Sequence, residues 1–293
     1  MSPKRSSVVD GGDEDRTCVS AVRDEFRCSS FWLGHAEPRI LASDQWGFPK
    51  LYVGWRVFWA LYHLTWSMYD WINNATTTER PGTWLVYLTN WTFLLLTANT
   101  IVQATVVLHV TFGRSDLEDG RTPWYLKVAW LVYEMASAAS IAVTVLYFVL
   151  LFDGTLSVIS TVTHLLNTVY VILDVCVTAM PVRLLHVIYV AAYTVAYLVF
   201  SLIYWAADGV NSDGEPYIYE TLDWSKPQRA APVVVGAALV GVPLVHLLLW
   251  TLYMIRSAIH RNACSGQHQE KATTTNSKKS TNHTAADCDD CSV

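Results

Sequence analysis

The chain has 293 residues, of which 52% are hydrophobic and 15% are charged, and its net charge is −5. So few charged residues could not supply the polar surface of a soluble protein of this length. The chain also has no excess of basic residues, which excludes a protein that binds nucleic acid by electrostatic attraction. We therefore expect a membrane protein whose surroundings are lipid and which has no nucleic-acid partner.

Long apolar stretches dominate the chain and define its predicted elements. Each reaches the ~20 residues that a helix needs to cross the hydrocarbon of a bilayer. The sequence therefore predicts an all-α, polytopic membrane protein with six transmembrane helices in one bundle. The predicted spans are residues 51–72, 84–110, 126–150, 156–177, 183–205 and 231–255.

The distribution of Lys and Arg predicts the orientation of these spans. Basic residues concentrate before the first span, in the second and fourth loops and after the last span, whereas the alternate loops hold only Arg80, Lys226 and Arg229. The positive-inside rule then places both termini in the cytoplasm. We expect residues 1–30 to form a disordered cytoplasmic arm, residues 31–260 the six-helix domain, and residues 261–293 a disordered cytoplasmic tail.

Isolated motifs in the polar segments carry little functional signal. Cys288 and Cys291 lie near His283 in a tail rich in Thr, Ser, Asn and Lys, which favours disorder over a metal clip, so we expect no metal and no cofactor. Cys264 is either a palmitoylation candidate or a free thiol. Whether Asn74 is glycosylated stays open, because its sequon lies hard against the membrane.

The last outer loop, residues 206–230, is the one long connection between spans. It mixes turn-forming residues with aromatic residues and five acids. Long loops in compact domains are usually functional or disordered, and the interleaved aromatic residues favour an ordered cap. We expect a protein partner, if there is one, to bind this loop.

Polar side chains follow helical faces inside three of the predicted spans. In the first span, Arg56, His63 and Asp70 recur every seven residues and so share one face. Because an ionisable group near the bilayer centre tends to face the bundle interior, these stripes predict a polar seam or cavity between the helices. By depth, Glu134 and His246 are expected to pair in the inner half of the membrane.

Two further groups fall in the outer half, where they are candidates for chemistry. Thr89 lies about five residues below the outer surface and His164 about eight, so the two could meet beneath the outer loop. A structural role competes in each case, because a membrane Thr usually bonds to its own helix and a buried His can be satisfied by a neighbouring Asn or Thr.

An ordered set of segments resembles the rolling stone family of multi-pass membrane proteins. The matching pieces are SDQWG before the first span, YLTNWTFLLLTANT in the second, HLLNTVYVILDV in the fourth, MPVRLLHVIYVAAYTVAYLVFSLIYW in the fifth and YIYETLDWSKP in the last loop. The resemblance implies a role in cell-surface or developmental processes such as myoblast fusion, and the plasma membrane in preference to the endoplasmic reticulum.

A more distant similarity points to the androgen-induced membrane hydrolases, which cleave lipid esters through an intramembrane Thr and His. It is carried by Leu88-Thr89, by a His-x-x-polar step at His164 and Asn167, and by the segment 217–223. That resemblance implies Thr89 as nucleophile and His164 as base, with Asn167 or Tyr219 near the oxyanion. In that family the catalytic His stands where this chain has Asn167, and Asn cannot accept the proton.

The sequence thus leaves three functional hypotheses. The first is a rolling-stone-type protein acting at the cell surface, and the second is an intramembrane lipid-ester hydrolase with Thr89, His164 and Asn167 as its site. The third is a small-solute or proton carrier that uses His63, Asp70, His164 and Asp174.

Overall fold

The computed structural model describes residues 25–113, 117, 121–152 and 154–263. Within these residues the chain is helical, and the one pairing of extended backbone is an isolated bridge between Asp44 and Thr178. The predicted all-α fold is therefore confirmed. The predicted disordered arm and tail lie outside the described residues, apart from residues 25–30 and 261–263.

Six long helices account for most of the described chain. Their bounds are α1 Pro49–Thr77, α2 Leu88–Phe112, α3 Trp124–Leu151, α4 Val158–Val177, α5 Leu184–Ala206 and α6 Pro227–Ala263. Helices α2 to α6 are long and apolar enough to cross a membrane, whereas α1 has 29 residues but carries polar and charged side chains that lower its hydropathy.

Proline and local turns set where these helices begin. Pro49 and Pro227 occupy the first helical residues of α1 and α6, where the missing N–H costs nothing and the fixed φ suits a helix. Residues 84–86, which the sequence assigned to the start of the second span, belong to a separate 3₁₀ turn, Pro81–Val86, that also begins with a proline. As a result α2 begins at Leu88, and Thr89 is its second residue.

Three of the helices contain a turn of π-helix, with hydrogen bonds from residue i to i+5. The π segments are Tyr147–Leu151 at the end of α3, Thr161–Leu166 in α4 and Ala237–Gly241 in α6. Such segments are rare and are frequent at functional sites. Each one also shifts the rotational phase of the residues that follow it.

The first four helices form the packed part of the molecule. Helices α1, α2, α3 and α4 contact one another in chain order, and α5 packs on α3. The buried fraction of the apolar segment falls from 56% in α2 to 17% in α5 and in α6. Most of the surface of α5 and α6 is therefore apolar and uncovered by protein, as expected of lipid-facing helices.

Helix α1 turns its polar residues inward and its apolar residues outward. Arg56, His63 and Asp70 are buried, at 1%, 0% and 8% exposure, whereas Leu61 and Ile72 are more than half exposed. This is the reverse of a surface helix in a soluble protein. The predicted seven-residue polar stripe is confirmed as the buried face of α1.

A buried ion pair joins α1 to α4. The Arg56 guanidinium donates to both Asp174 carboxylate oxygens, at 2.8 and 2.9 Å, and both side chains are at most 2% exposed. Trp55 donates its indole N–H to the same carboxylate at 2.7 Å, and Arg56 donates to the Tyr52 hydroxyl at 2.7 Å. The Asp174 carboxylate therefore lies inside the bundle.

The expected pairing of Glu134 with His246 is also wrong. Glu134 on α3 instead contacts the Nδ1 of His186 at 2.8 Å, and both side chains are fully buried. The Nε2 of His246 instead lies 2.9 Å from the carbonyl oxygen of Arg183, the residue whose backbone N–H donates to Glu134. The non-helical segment 178–183 leads to His186, which takes the position beside Glu134.

We expect Arg56→Met to lower the stability of the detergent-solubilised protein by about 3 to 5 kcal/mol, because it leaves the Asp174 carboxylate buried without its partner. The measurement is thermal unfolding followed by tryptophan fluorescence. Combining Arg56→Met with Asp174→Leu removes both charges and should recover most of the loss. Arg229→Met, at an exposed site, is the control and should stay within about 0.5 kcal/mol of wild type. An unchanged Tm in the Arg56 single variant would contradict the expectation.

Candidate functional site

The loop between α5 and α6 has a defined backbone frame. The Asn211 side-chain oxygen accepts the backbone N–H groups of Asp213 and Glu215, both at 2.9 Å. Ser212 binds the Tyr87 hydroxyl through its own hydroxyl, at 2.7 Å. These bonds hold the first half of the loop against the segment before α2, which agrees with the ordered cap expected from the sequence.

The second half of the loop is fixed by a charge pair and by an indole. Lys226 contacts the Asp223 carboxylate at 2.8 Å, and its ammonium group lowers the pKa of that carboxyl. Trp224 donates its indole N–H to the Ser201 hydroxyl on α5 at 3.2 Å. The loop therefore bonds to the bundle along its whole length.

A cavity of about 180 Å³ lies directly beneath this loop. Its walls come from the first turns of α2, the second half of α3, the middle of α5 and the first half of α6, and the loop covers its end. Apolar side chains and Ala residues make up most of the lining. Hydroxyl groups concentrate on the α2, α5 and loop side of the cavity, at Thr89, Thr92, Tyr193, Tyr197, Tyr219 and Thr221.

The Tyr219 hydroxyl is the centre of the polar end of this cavity. The Leu88 backbone N–H donates to Tyr219 at 3.0 Å and to Tyr197 at 3.1 Å, and Tyr197 in turn donates to the Val86 carbonyl at 2.9 Å. Thr89 lies beside the Tyr219 oxygen on the cavity wall. Burial raises the pKa of Tyr219, so its phenol stays protonated at neutral pH.

Thr89 lies where the sequence predicted, beneath the loop and on the cavity wall, but its hydroxyl neighbour is Tyr219. Neither Tyr219 nor Tyr197 is a base at neutral pH, because a phenol deprotonates near pH 10 even without burial. The local arrangement therefore satisfies the first N–H groups of α2 and offers hydroxyls to the cavity. It supplies no proton acceptor for Thr89 among the hydrogen-bond partners described above.

His164 faces a different neighbour. Its ring stacks on Tyr147, with centroids 3.7 Å apart and planes 6° from parallel, and its Nδ1 is buried with no hydrogen-bond partner among the described residues. Tyr147 lines the cavity, whereas His164 does not. In the described part of the chain no hydrogen bond joins the Thr89 hydroxyl to the His164 ring, so the structure does not bring this pair together.

Asn167 is likewise directed away from Thr89. Its side-chain N–H₂ donates to the Thr163 carbonyl one turn earlier, at 2.7 Å, and the residue does not line the cavity. His164 lies in the π segment of α4 and Asn167 directly follows it, so the 3.6-residue period of a regular helix does not hold there. Their roles in catalysis stay predictions.

The groups proposed for a carrier have separate partners in the bundle and do not meet at one site. Asp174 is bound by Arg56, Asp70 accepts the Trp84 indole N–H at 3.0 Å, and His63 contacts the Trp59 carbonyl at 2.9 Å. Within the described residues no three His, Cys, Asp or Glu side chains converge as a metal site would require. Each of these groups has a helix-joining or helix-internal contact.

Sequence reasoning missed the tyrosines of α5 and α3 that line the cavity. Tyr193 and Tyr197 are four residues apart and hence on one face of α5, and Tyr193 bonds the Thr92 hydroxyl at 3.0 Å. The signal was present in the sequence, because this pair places two polar tips on one face of a strongly apolar helix.

Comparison with known proteins agrees with the resemblance seen in the sequence. The sequence model of a family described as Protein rolling stone matches residues 15–272. Protein rolling stone of Drosophila melanogaster is 28% identical over 264 residues, which cover 84% of this chain and 94% of the fly protein. No solved structure matches. The family match spans most of the chain, including every helix described above, and the chain belongs to the rolling stone family.

Proposed function

We propose that this protein acts at the plasma membrane in a cell-surface or developmental process such as myoblast fusion, with the loop between α5 and α6 as its partner-binding surface. The observation that supports this best is the loop itself, which combines a fixed backbone with exposed acids. Asp208, Asp213, Glu215 and Glu220 are exposed, while Asn211, Ser212 and Trp224, which hold the frame, are at least partly buried. A rigid, charged surface suits recognition of a basic protein partner.

The exposed element of this protein is too small to merge membranes by itself. The loop carries no long exposed apolar segment of the kind that would insert into an opposing bilayer. We therefore propose that it contributes to fusion by binding a partner protein, while the membrane-embedded bundle holds the loop in place.

We further propose that α1 is a sixth span and that both termini are cytoplasmic. Three features support this topology: the 29-residue length of α1, its buried polar face and the basic residues that flank alternate loops. With six spans the loop between α5 and α6 faces the outside. With five spans the two termini would lie on opposite sides of the membrane.

Epitope tags test this topology directly. Tags at the N- and C-terminus should both be reached by antibody only after the cells are permeabilised, while a tag inserted after Asp213 should be reached in intact cells. Exposure of one terminal tag in intact cells would contradict the six-span arrangement.

Neutralising the exposed acids tests the role of the loop. In cultured myoblasts that depend on this protein, the combined variant Asp213→Asn, Glu215→Gln and Glu220→Gln should reduce the fraction of nuclei in fused cells by more than half. Surface biotinylation should find the variant at the plasma membrane in wild-type amount. Glu79→Gln, an exposed acid at the same end of the bundle, is the control and should fuse normally. Unchanged fusion by the loop variant would remove the loop as the partner-binding surface.

A membrane-embedded lipid-ester hydrolase remains the alternative, because Thr89 lines an apolar cavity. The separate environments of Thr89 and His164 count against it, since a Thr nucleophile needs a base within hydrogen-bond reach. The carrier hypothesis has no comparable observation in its favour.

A fluorophosphonate probe distinguishes these alternatives. We expect the purified wild-type protein to label no more strongly than Thr89→Ala or His164→Ala, because Thr89 has no base to activate it. The control is a serine hydrolase treated in the same detergent. Labelling of the wild type that is lost in both variants would establish an activated Thr and place the hydrolase first.

A further inference from the structure

We infer that the cavity beneath the α5–α6 loop binds the acyl chain of a neutral, hydroxyl-bearing, single-chain lipid of the monoacylglycerol class, with its head at Thr89, Tyr197 and Tyr219. Such binding neither requires nor implies the proposed role in fusion. It also requires no hydrolysis, since the lipid is held and not cleaved.

The shape of the cavity suits a single chain. Along α6 its lining extends from Val233 to Val245, twelve residues or about 18 Å, which is more than half of the ~30 Å hydrocarbon thickness. Along α5 it extends from Leu198 to Val190. The hydroxyl groups of Thr89, Tyr197 and Tyr219 lie next to the loop, and those of Tyr193 and Thr194 follow about one turn farther along α5. The lining from α6 is apolar throughout, so the cavity is amphipathic.

The chemistry of the lining selects a neutral head. The described residues that line the cavity include hydroxyl groups but no Asp, Glu, Lys, Arg or His. A carboxylate or phosphate placed there would lose its hydration and find no opposite charge, which is costly in an apolar site. A glycerol hydroxyl or an ester carbonyl can instead exchange hydrogen bonds with Thr89 and Tyr219.

The size of the cavity favours an occupied state. At about 180 Å³ it exceeds the roughly 150 Å³ of an engineered apolar cavity that stays dry and takes up benzene. An unfilled cavity of this size destabilises a protein because its lining lacks contact atoms. Inside a bilayer the abundant apolar molecules are lipid chains.

The helices around the cavity leave a route for a chain to enter. The π segments at the end of α3 and in α6 both contribute to the lining. The first half of α6, residues 227–241, has its main contacts with the loop and with α5, whereas the second half is held at the end of α4 by Arg256 and is buried at Leu249. Entry is therefore expected between the first half of α6 and its neighbours.

A pair of glycines on α6 provides a matched test. Gly241 lines the cavity and a Cβ added there meets its nearest atom at 3.8 Å, so a Leu side chain fits the helix and fills the cavity. Gly236, five residues earlier, does not line the cavity, and an added Cβ meets nothing within 4 Å. Gly241→Leu and Gly236→Leu thus make the same change with and without blocking the site.

The experiment uses the full-length protein in liposomes and a monoacylglycerol that carries a diazirine and an alkyne on its acyl chain. We expect saturable photolabelling on peptides of α3, α5 or α6, lowered at least tenfold by Gly241→Leu and unchanged by Gly236→Leu. Excess unlabelled monoacylglycerol should compete, and the fatty acid of equal length at pH 8 should compete at least tenfold less well. Tyr219→Phe should weaken binding about three- to tenfold, as expected for one lost hydrogen bond, while Leu88 keeps Tyr197 as its acceptor.

Three results would overturn the proposal. The first is labelling that is non-saturable or spread evenly over the lipid-facing helices, as bulk lipid would give. The second is full labelling of Gly241→Leu in protein that elutes as wild type does on size exclusion. The third is equal competition by the fatty acid, which would contradict a neutral head.

Discussion

The ion pair between Arg56 and Asp174 is the interaction on which the arrangement of the bundle depends. Both charges are buried, and a charge in hydrocarbon is tolerated when it is paired and hydrogen bonded. Trp55 and Tyr52 complete the set of polar partners. Because Asp174 lies near the end of α4, the pair fixes both the rotation and the depth of α1 against α4.

Other polar contacts extend this seam towards both ends of the bundle. Ser67 on α1 bonds Thr97 on α2 at 2.6 Å, and beyond it Asp70 accepts the Trp84 indole N–H. At the opposite end Arg256 of α6 donates to carbonyl groups at the end of α4, among them Val175 at 3.0 Å. A cation at a helix C-terminus is favourable there, since it neutralises unpaired carbonyl groups. The seam thus joins helices that lack a hydrophobic driving force for association in lipid.

Sequence reasoning succeeded where a regular helix follows a regular pattern. Apolar length predicted the helices, and the seven-residue spacing of Arg56, His63 and Asp70 predicted the buried face of α1 although that helix is the least apolar. It failed where the backbone departs from the α-helix. The π segment of α4 turned His164 towards Tyr147, and the extended backbone before His186 brought that residue to Glu134. No residue pattern in the sequence marks the π segment, and the break between residues 177 and 183, although predicted, did not show which histidine would reach Glu134.

The same loop that covers the cavity also carries the exposed acids, so one element has an inner and an outer surface. Tyr219 and Leu222 face the cavity, while Glu215 and Glu220 are exposed. A lipid beneath the loop and a partner above it would both contact this short segment. The hydrogen bonds of Asn211 and Trp224 hold the inner and outer surfaces of the loop in a fixed position relative to each other.

Spin-label accessibility at Leu61 tests the proposal that α1 crosses the bilayer with its polar face turned inward. Leu61 is 60% exposed in the middle of α1, opposite the Arg56 face. In liposomes, and in a variant without native cysteines, a nitroxide at residue 61 should collide more often with oxygen than with a water-soluble nickel chelate. Preferential collision with the nickel chelate would show that α1 lies in water, and would contradict the account.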